Sequence, residues 1–273
     1  MASMTDLVSE GLKYPFNDTK KLLSLGALFA LLNIITFGIF EMLIDLLTIV
    51  EETSPNSIAA NSSTFASSDI YIIALFAIIG FIIALLIMGY QYDIIKFSIA
   101  KSNDLPGFGD VLSLLTKGLK YFIACFVYNI IPVIVFVAGI ELLSVQNGDY
   151  YVSVLALILF IICNFLLIMA LANMADTDKL TKAFDLREII NKIANLGWVT
   201  YIGITLFTFI VYAIIMVAIS VILMFITILV AIAINQAMVI LAIIATIQGL
   251  FISSYISVFF NRVYGSVYRE AIK

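Results

Sequence analysis

The chain alternates between long apolar runs and short polar segments. The runs cover Leu22–Val50, Ile70–Ile99, Tyr121–Val145, Tyr151–Ala175 and Trp198–Phe260. About 20 consecutive apolar residues cross a hydrocarbon core as a helix, so each of the first four runs predicts one span. As a single helix the fifth would reach roughly 95 Å, against a core of about 30 Å. It must fold back, and its one strongly polar dipeptide, Asn235-Gln236, marks the turn. Six spans are therefore predicted, at about 22–47, 70–96, 121–144, 151–175, 198–230 and 237–260. The runs are continuously apolar, which excludes the alternating pattern of a membrane β-barrel.

The polar segments carry helical patterns of their own. In 5–17, Leu7, Val8, Leu12 and Phe16 oppose Asp6, Glu10 and Lys13. In 105–120, Phe108, Val111, Leu112, Leu115 and Leu119 form a stripe, with Asp110, Ser113, Lys117 and Lys120 on other faces. In 184–197, Leu186, Ile189, Ile190 and Ile193 oppose Arg187, Glu188, Asn191 and Lys192. Each predicts an amphipathic helix lying among the lipid headgroups. The unit of amphipathic helix, span, span then occurs three times. "GLKYPF" from Gly11, "GLKYFI" from Gly118 and "NLGWVT" from Asn195 mark its junction. Glycine is expected there for the bend, and the aromatic for the membrane interface. The expected fold is an all-α polytopic membrane protein, one domain over 1–273. It has six transmembrane helices as three hairpins, each preceded by a cytoplasmic amphipathic interfacial helix. The polar pieces are 1–21, 97–120, 176–197 and a tail at 261–273.

Charge orients this arrangement. All 14 lysines and arginines fall in those four pieces once Lys96, at the edge of the second, is counted with it, while the opposite loops hold only Glu51, Glu52, Asp69 and Asp149. The positive-inside rule then puts both termini in the cytoplasm of a multi-pass protein of the cell membrane. Composition agrees: 63% of residues are hydrophobic and 12% charged, where soluble proteins carry about 25% charge. Mean hydropathy is +1.17. A net charge of −4 gives no reason to expect nucleic acid. The absence of histidine removes the commonest general base and metal ligand, so neither an enzyme nor a cofactor is expected. Cys125 and Cys163 lie inside apolar runs as small hydrophobes. The N-terminus lacks the basic-then-apolar pattern of a signal peptide.

The stretch "GYQYDIIKFSIAKSNDLPGFGDVLSLLTKGLKYF" (89–122) resembles a family of prokaryotic, largely archaeal, polytopic membrane proteins known only as a domain of unknown function. The shared features are Gly89-Tyr90 closing a span, Leu105-Pro106, Gly109-Asp110 and Gly118-Leu119 entering the next span, with Leu12 to Phe16 fitting as well. The family usually has an acidic residue and aromatics after Leu-Pro, where Gly107-Phe108-Gly109 stands here. The resemblance implies a fold and a membrane location, and no activity or site residues.

Candidate chemistry is sparse. Glu41 and Asp45 share a helix face, and Glu141 sits at the same end of its span. Together they could form a cation or proton site, or simply be solvated at the outer interface. Asn33, Asn129, Asn164, Asn173 and Gln248 could join helices or line a polar path. Pro132 is expected to kink its span. "NDLPGFGD" lacks the spacing of a phosphate loop. Asp176, Asp178 and Asp185 could hold a divalent cation or be a mixed solvated surface, and Asn61-Ser62-Ser63 fits the glycosylation pattern. Lys117, Lys120, Arg187 and Lys192 are the expected lipid-headgroup contacts, with membrane lipids as partners. The expected function is a non-enzymatic, lipid-interacting or membrane-organising role; the alternative is a transporter or channel for a small or apolar solute.

Overall fold

A computed structural model describes residues 3–52, 68–142, 148–233 and 236–273, and these are mostly helical with no strand among them. The tripeptide at Asn61 lies outside them. Helix α1 (Met4–Lys13) starts on a capping box, in which the Ser3 hydroxyl accepts from the Asp6 amide and Asp6 accepts from the Ser3 amide. A 3-10 turn leads into α2 (Thr19–Glu52). Then follow α3 (Ser68–Ile99), α4 (Val111–Leu142) and α5 (Gly148–Thr177). After a second 3-10 turn come α6 (Leu186–Leu196) and α7 (Trp198–Ala233). Helix α8 (Ala237–Ile247) continues through a π-helical turn, Gln248–Ser253, into α9 (Ser254–Ala271). Six helices, counting α8 through α9 as one, are long and apolar enough to cross a membrane, at mean hydropathies of 2.1 to 3.1. In hydrocarbon every backbone amide must find its partner within its own helix, so such runs have one stable form.

Helix α5 is the centre of the bundle, with Met169 through Ala175 all buried. Helices α3 and α4 cross through two glycines used reciprocally. A Cβ on Gly89 would lie 2.0 Å from the Leu114 carbonyl oxygen, and one on Gly118 would lie 1.9 Å from that of Leu85. Each glycine faces the carbonyl four residues before the other, so the two backbones touch. Helix α2 meets the π turn in the same way, through Gly26 against Leu250 and Gly249 against Ala30. The Asn33 amide donates to the Ala245 carbonyl at 3.0 Å, one turn before that irregularity. Helix α7 is the exception: no residue of its most apolar stretch is buried. It meets α1, α6 and α9 towards its start and α8 at its far end, so the third pair of spans is splayed.

Four expectations change. No separate amphipathic helix precedes the third span; residues 111–120 are the first turns of α4, and 103–110 is an extended linker. The apolar stripes of the other two do not face lipid alone. Leu7 and Val8 of α1, and Ile189, Ile193 and Leu196 of α6, are buried in the protein core with Phe259, Val263 and Met169. The glycine of the recurrent phrase makes a bend only at Gly197, which caps α6 at φ +90°. At Gly118 it admits a neighbouring helix, and at Gly11 it lies against Val263 and Phe259 of α9. Finally, 261–273 is not a solvated tail. Asn261, Arg262, Val263, Ser266, Val267, Tyr268 and Glu270 are buried in α9. Pro132 sits inside an unbroken α4.

Candidate functional site

The basic end of the bundle is a connected polar layer. Glu10 of α1 takes both arginines of α9, with Arg262 Nη2 2.6 Å from Oε1 and Arg269 Nη2 3.1 Å from Oε2. Arg262 also donates to the Ser102 carbonyl at 2.6 Å and lies 4.1 Å above the centre of the Tyr14 ring. The linker after α3 gathers donors from elsewhere: Tyr14 Oη to the Asp104 carbonyl, Asn17 Nδ2 to that of Asn103, and Lys21 Nζ to that of Leu105. Across the layer, Asp178 accepts from Tyr92 at 2.7 Å and from Lys96, and the Lys96 and Tyr92 bonds hold its carboxyl down at about 2.

The expected headgroup contacts divide here. Lys117 pairs with Asp93 at 2.8 Å, and Lys120 donates to the Asp178 carbonyl at 2.9 Å. Lys192 pairs with Glu188 at 2.8 Å and donates to Asn173 Oδ1 and to the Tyr268 hydroxyl. Their charges are matched within the protein. Arg187 is exposed and has no partner among the described residues. The three aspartates do not converge: Asp176 accepts from Tyr268, Asp178 holds the two lysines, and Asp185 caps α6 while pairing with Lys182. Of the outer carboxylates, Glu41 is partly buried on α2; the side chains of Asp45 and Glu141 lie outside the described residues. Among the described residues no three metal-ligating side chains gather.

Two apolar hollows flank the seam between α5 and α7. The outer groove, of about 580 Å³, runs from Ile190 and Ile193 of α6 and Trp198 of α7 up to Ile161 of α5. The inner pocket, of about 570 Å³, lies between α4, α5, α7 and α9, from Tyr121 and Tyr264 up to Phe160 and Phe209. Ile161, Phe165 and Leu206 belong to both walls. Here α7 is tied to α5 by the Tyr201 hydroxyl, which donates to the Phe165 carbonyl at 2.5 Å. Both hollows exist because α7 splays from the bundle above that tie. The intramembrane amides do not line a polar path. Asn129 donates to the Cys125 carbonyl, Asn164 to that of Phe160, and Asn173 to that of Lys182.

Sequence reasoning did not single out Tyr201, Tyr264, Phe165 or Leu206. Tyr201 was the available signal, since it stands in an apolar run with a hydroxyl that needs a partner; Tyr264 stands among polar and small residues and gave none.

Six apolar helices around a polar end layer and lateral apolar hollows define a multi-pass helical membrane protein of unassigned activity. Residues 72–224 match the family described as "Protein of unknown function (DUF4013)", and the chain belongs to that family. It is also similar to an uncharacterised protein, MJ1189, of Methanocaldococcus jannaschii, at 22% identity over 208 residues, 73% of this chain and 72% of the relative. No solved structure matches it.

Proposed function

We propose that the protein is a non-enzymatic, lipid-interacting protein of the cell membrane, and that the outer groove holds one chain of an anionic phospholipid. The observation that carries this is the groove itself. Its walls are apolar, and the one hydroxyl among them, on Tyr201, is already bonded to Phe165. Trp198 lines the groove, and Arg187, exposed and without a partner among the described residues, lies one helical turn along α6 from the lining residue Ile190. Tryptophan favours the headgroup level, and a free guanidinium matches a phosphate.

Trp198 is the only tryptophan, so it is a built-in reporter. In detergent micelles, titration with an anionic phospholipid brominated along its chains is expected to quench its fluorescence saturably. Ile190→Asp, an exposed change in the lining, is expected to abolish the saturable phase, and Arg187→Gln to weaken it for anionic but not zwitterionic lipid. Quenching that rises linearly with no saturation would sink the reading.

The orientation proposed is basic end in the cytoplasm, supported by the one-sided distribution of lysine and arginine. With Cys125 and Cys163 replaced by alanine, Lys179→Cys is expected to escape an impermeant maleimide on intact cells and to react after permeabilisation. Labelling on intact cells would reverse the topology.

A further inference from the structure

The inner pocket differs from the outer groove in one respect: it contains a hydroxyl with nothing to do. Of the polar groups on its wall, Tyr121 donates to Asn261 Oδ1 at 3.3 Å. Asn164 donates to the Phe160 carbonyl at 2.8 Å and reaches Asn129 Oδ1 at 3.4 Å. The Tyr264 ring packs on Phe260, but its hydroxyl makes no hydrogen bond among the described residues. Tyr121 and Cys125, both on the pocket wall, are its neighbours. Tyr264 is half-buried and its hydroxyl opens onto the pocket, where an apolar filling would leave this donor without a partner, at a cost.

Three kinds of occupant can be weighed. Water needs two to four polar partners, and beside the Tyr264 hydroxyl the wall leaves only the Asn164 amide oxygen and the weak Cys125 thiol without a partner among the described residues. A carboxylate or phosphate would be desolvated with no cation on the wall, at high cost. A neutral acceptor oxygen on an apolar body meets both demands, bonding Tyr264 while its chain fills the space towards Phe160 and Phe209. The volume, about 570 Å³, falls within the range of about 300–1,000 Å³ typical of small-molecule sites and suits one chain. We propose that the inner pocket binds a single-chain lipophile bearing one neutral acceptor oxygen, such as an ester, ether or ketone, which accepts from the Tyr264 hydroxyl.

The site is separate from the outer groove and does not depend on it. Trp198 quenching reads the groove; the following experiment reads the pocket. Two sixteen-carbon probes with a mid-chain diazirine, one a methyl ester and one a plain hydrocarbon, are photolysed with the full chain in micelles. Crosslinks are mapped by peptide mass spectrometry. Both are expected on the α5 stretch Leu167–Leu171, whose Leu167, Ile168 and Leu171 line the pocket and not the groove, with the ester labelling about fivefold more efficiently, the size of one net hydrogen bond. Tyr264→Phe is expected to bring the ester down to the hydrocarbon level and to leave hydrocarbon labelling unchanged. Equal labelling of the wild type by both probes, absence of label from this stretch, or a preference that survives in Tyr264→Phe would each overturn the proposal. Should the variant lose hydrocarbon labelling too, the wild-type ratio decides alone: fivefold supports the site, unity overturns it.

Discussion

Gly118→Leu is expected to abolish the native packing of α3 on α4, and Gly118→Ala alone to cost about 3 kcal/mol or more. Overpacking a dense interior costs about 1–3 kcal/mol when side chains can move aside, and more when they cannot. Here they cannot, because the obstacle is backbone. The added Cβ would sit 1.9 Å from the Leu85 carbonyl oxygen, 2.7 Å from its carbon and 3.1 Å from the Gly89 amide nitrogen. Relief requires the two helices to separate along the crossing, which also lifts Gly89 away from Leu114. The same separation pulls at the nearby pair of Asp93 on α3 and Lys117 on α4. Gly38→Ala is the control, since a Cβ there meets nothing within 4 Å. Alanine is the better helix former, by about 1 kcal/mol in water, so this change is expected to be neutral or stabilising. Unfolding in mixed micelles, followed by circular dichroism, would measure both. A Gly118→Ala variant as stable as Gly38→Ala would mean the crossing is looser than the structure has it.

The same residue shows where the sequence stops being readable. Run length and hydropathy are properties of one helix, so six spans could be read directly; α7 ends at Ala233 and α8 begins at Ala237, and Asn235 of the expected turn lies outside the described residues. What covers a face is a property of two elements. The stripe of Leu7 and Val8, or of Ile189 and Ile193, states that one side of a helix avoids water; lipid and protein satisfy it equally. Glycine before an apolar run is ambiguous in the same way. Gly197 takes a positive φ and turns the chain, while Gly118 stays helical and admits a neighbour. Lysines at the basic end looked available to lipid because their partners are remote in sequence: Asp178 lies 58 residues from Lys120. The inner pocket is further still from the sequence, since Tyr121, Phe160, Phe209 and Tyr264 come from four helices and share no pattern.

The longest-range contact of this kind gives the second large effect. Glu10→Gln is expected to destabilise the protein by about 1–3 kcal/mol, less than the cost of breaking a fully buried ion pair from one side, because Glu10 itself is 30% exposed. Arg262 is 1% exposed and Arg269 11%, so without the carboxylate two guanidinium groups would face each other in a poorly hydrated space. The Ser102 carbonyl and the Tyr14 ring would still hold Arg262, but neither carries a charge to balance it. Arg262→Met removes the other side and loses those contacts as well. The double variant leaves one unbalanced guanidinium instead of two, Arg269, which keeps its bond to the Ser98 carbonyl, so its cost is expected to fall short of the sum of the singles by about 1–3 kcal/mol. Acid should reproduce the Glu10→Gln effect in the wild type. Burial pushes the Glu10 carboxyl up, but the hydrogen bond from Arg269 and the charges of Arg262 and Arg269 outweigh it and hold it below its ordinary value of 4.5. The folded value is the lower one, so the stabilisation is complete above that ordinary value and is lost as pH falls through the depressed one. Melting temperatures in micelles should therefore drop below about pH 4.5. Part of that drop should be missing in Glu10→Gln. Additive single and double variants, or an acid response that Glu10→Gln leaves unchanged, would show that α1 is held to α9 by its apolar stripe alone.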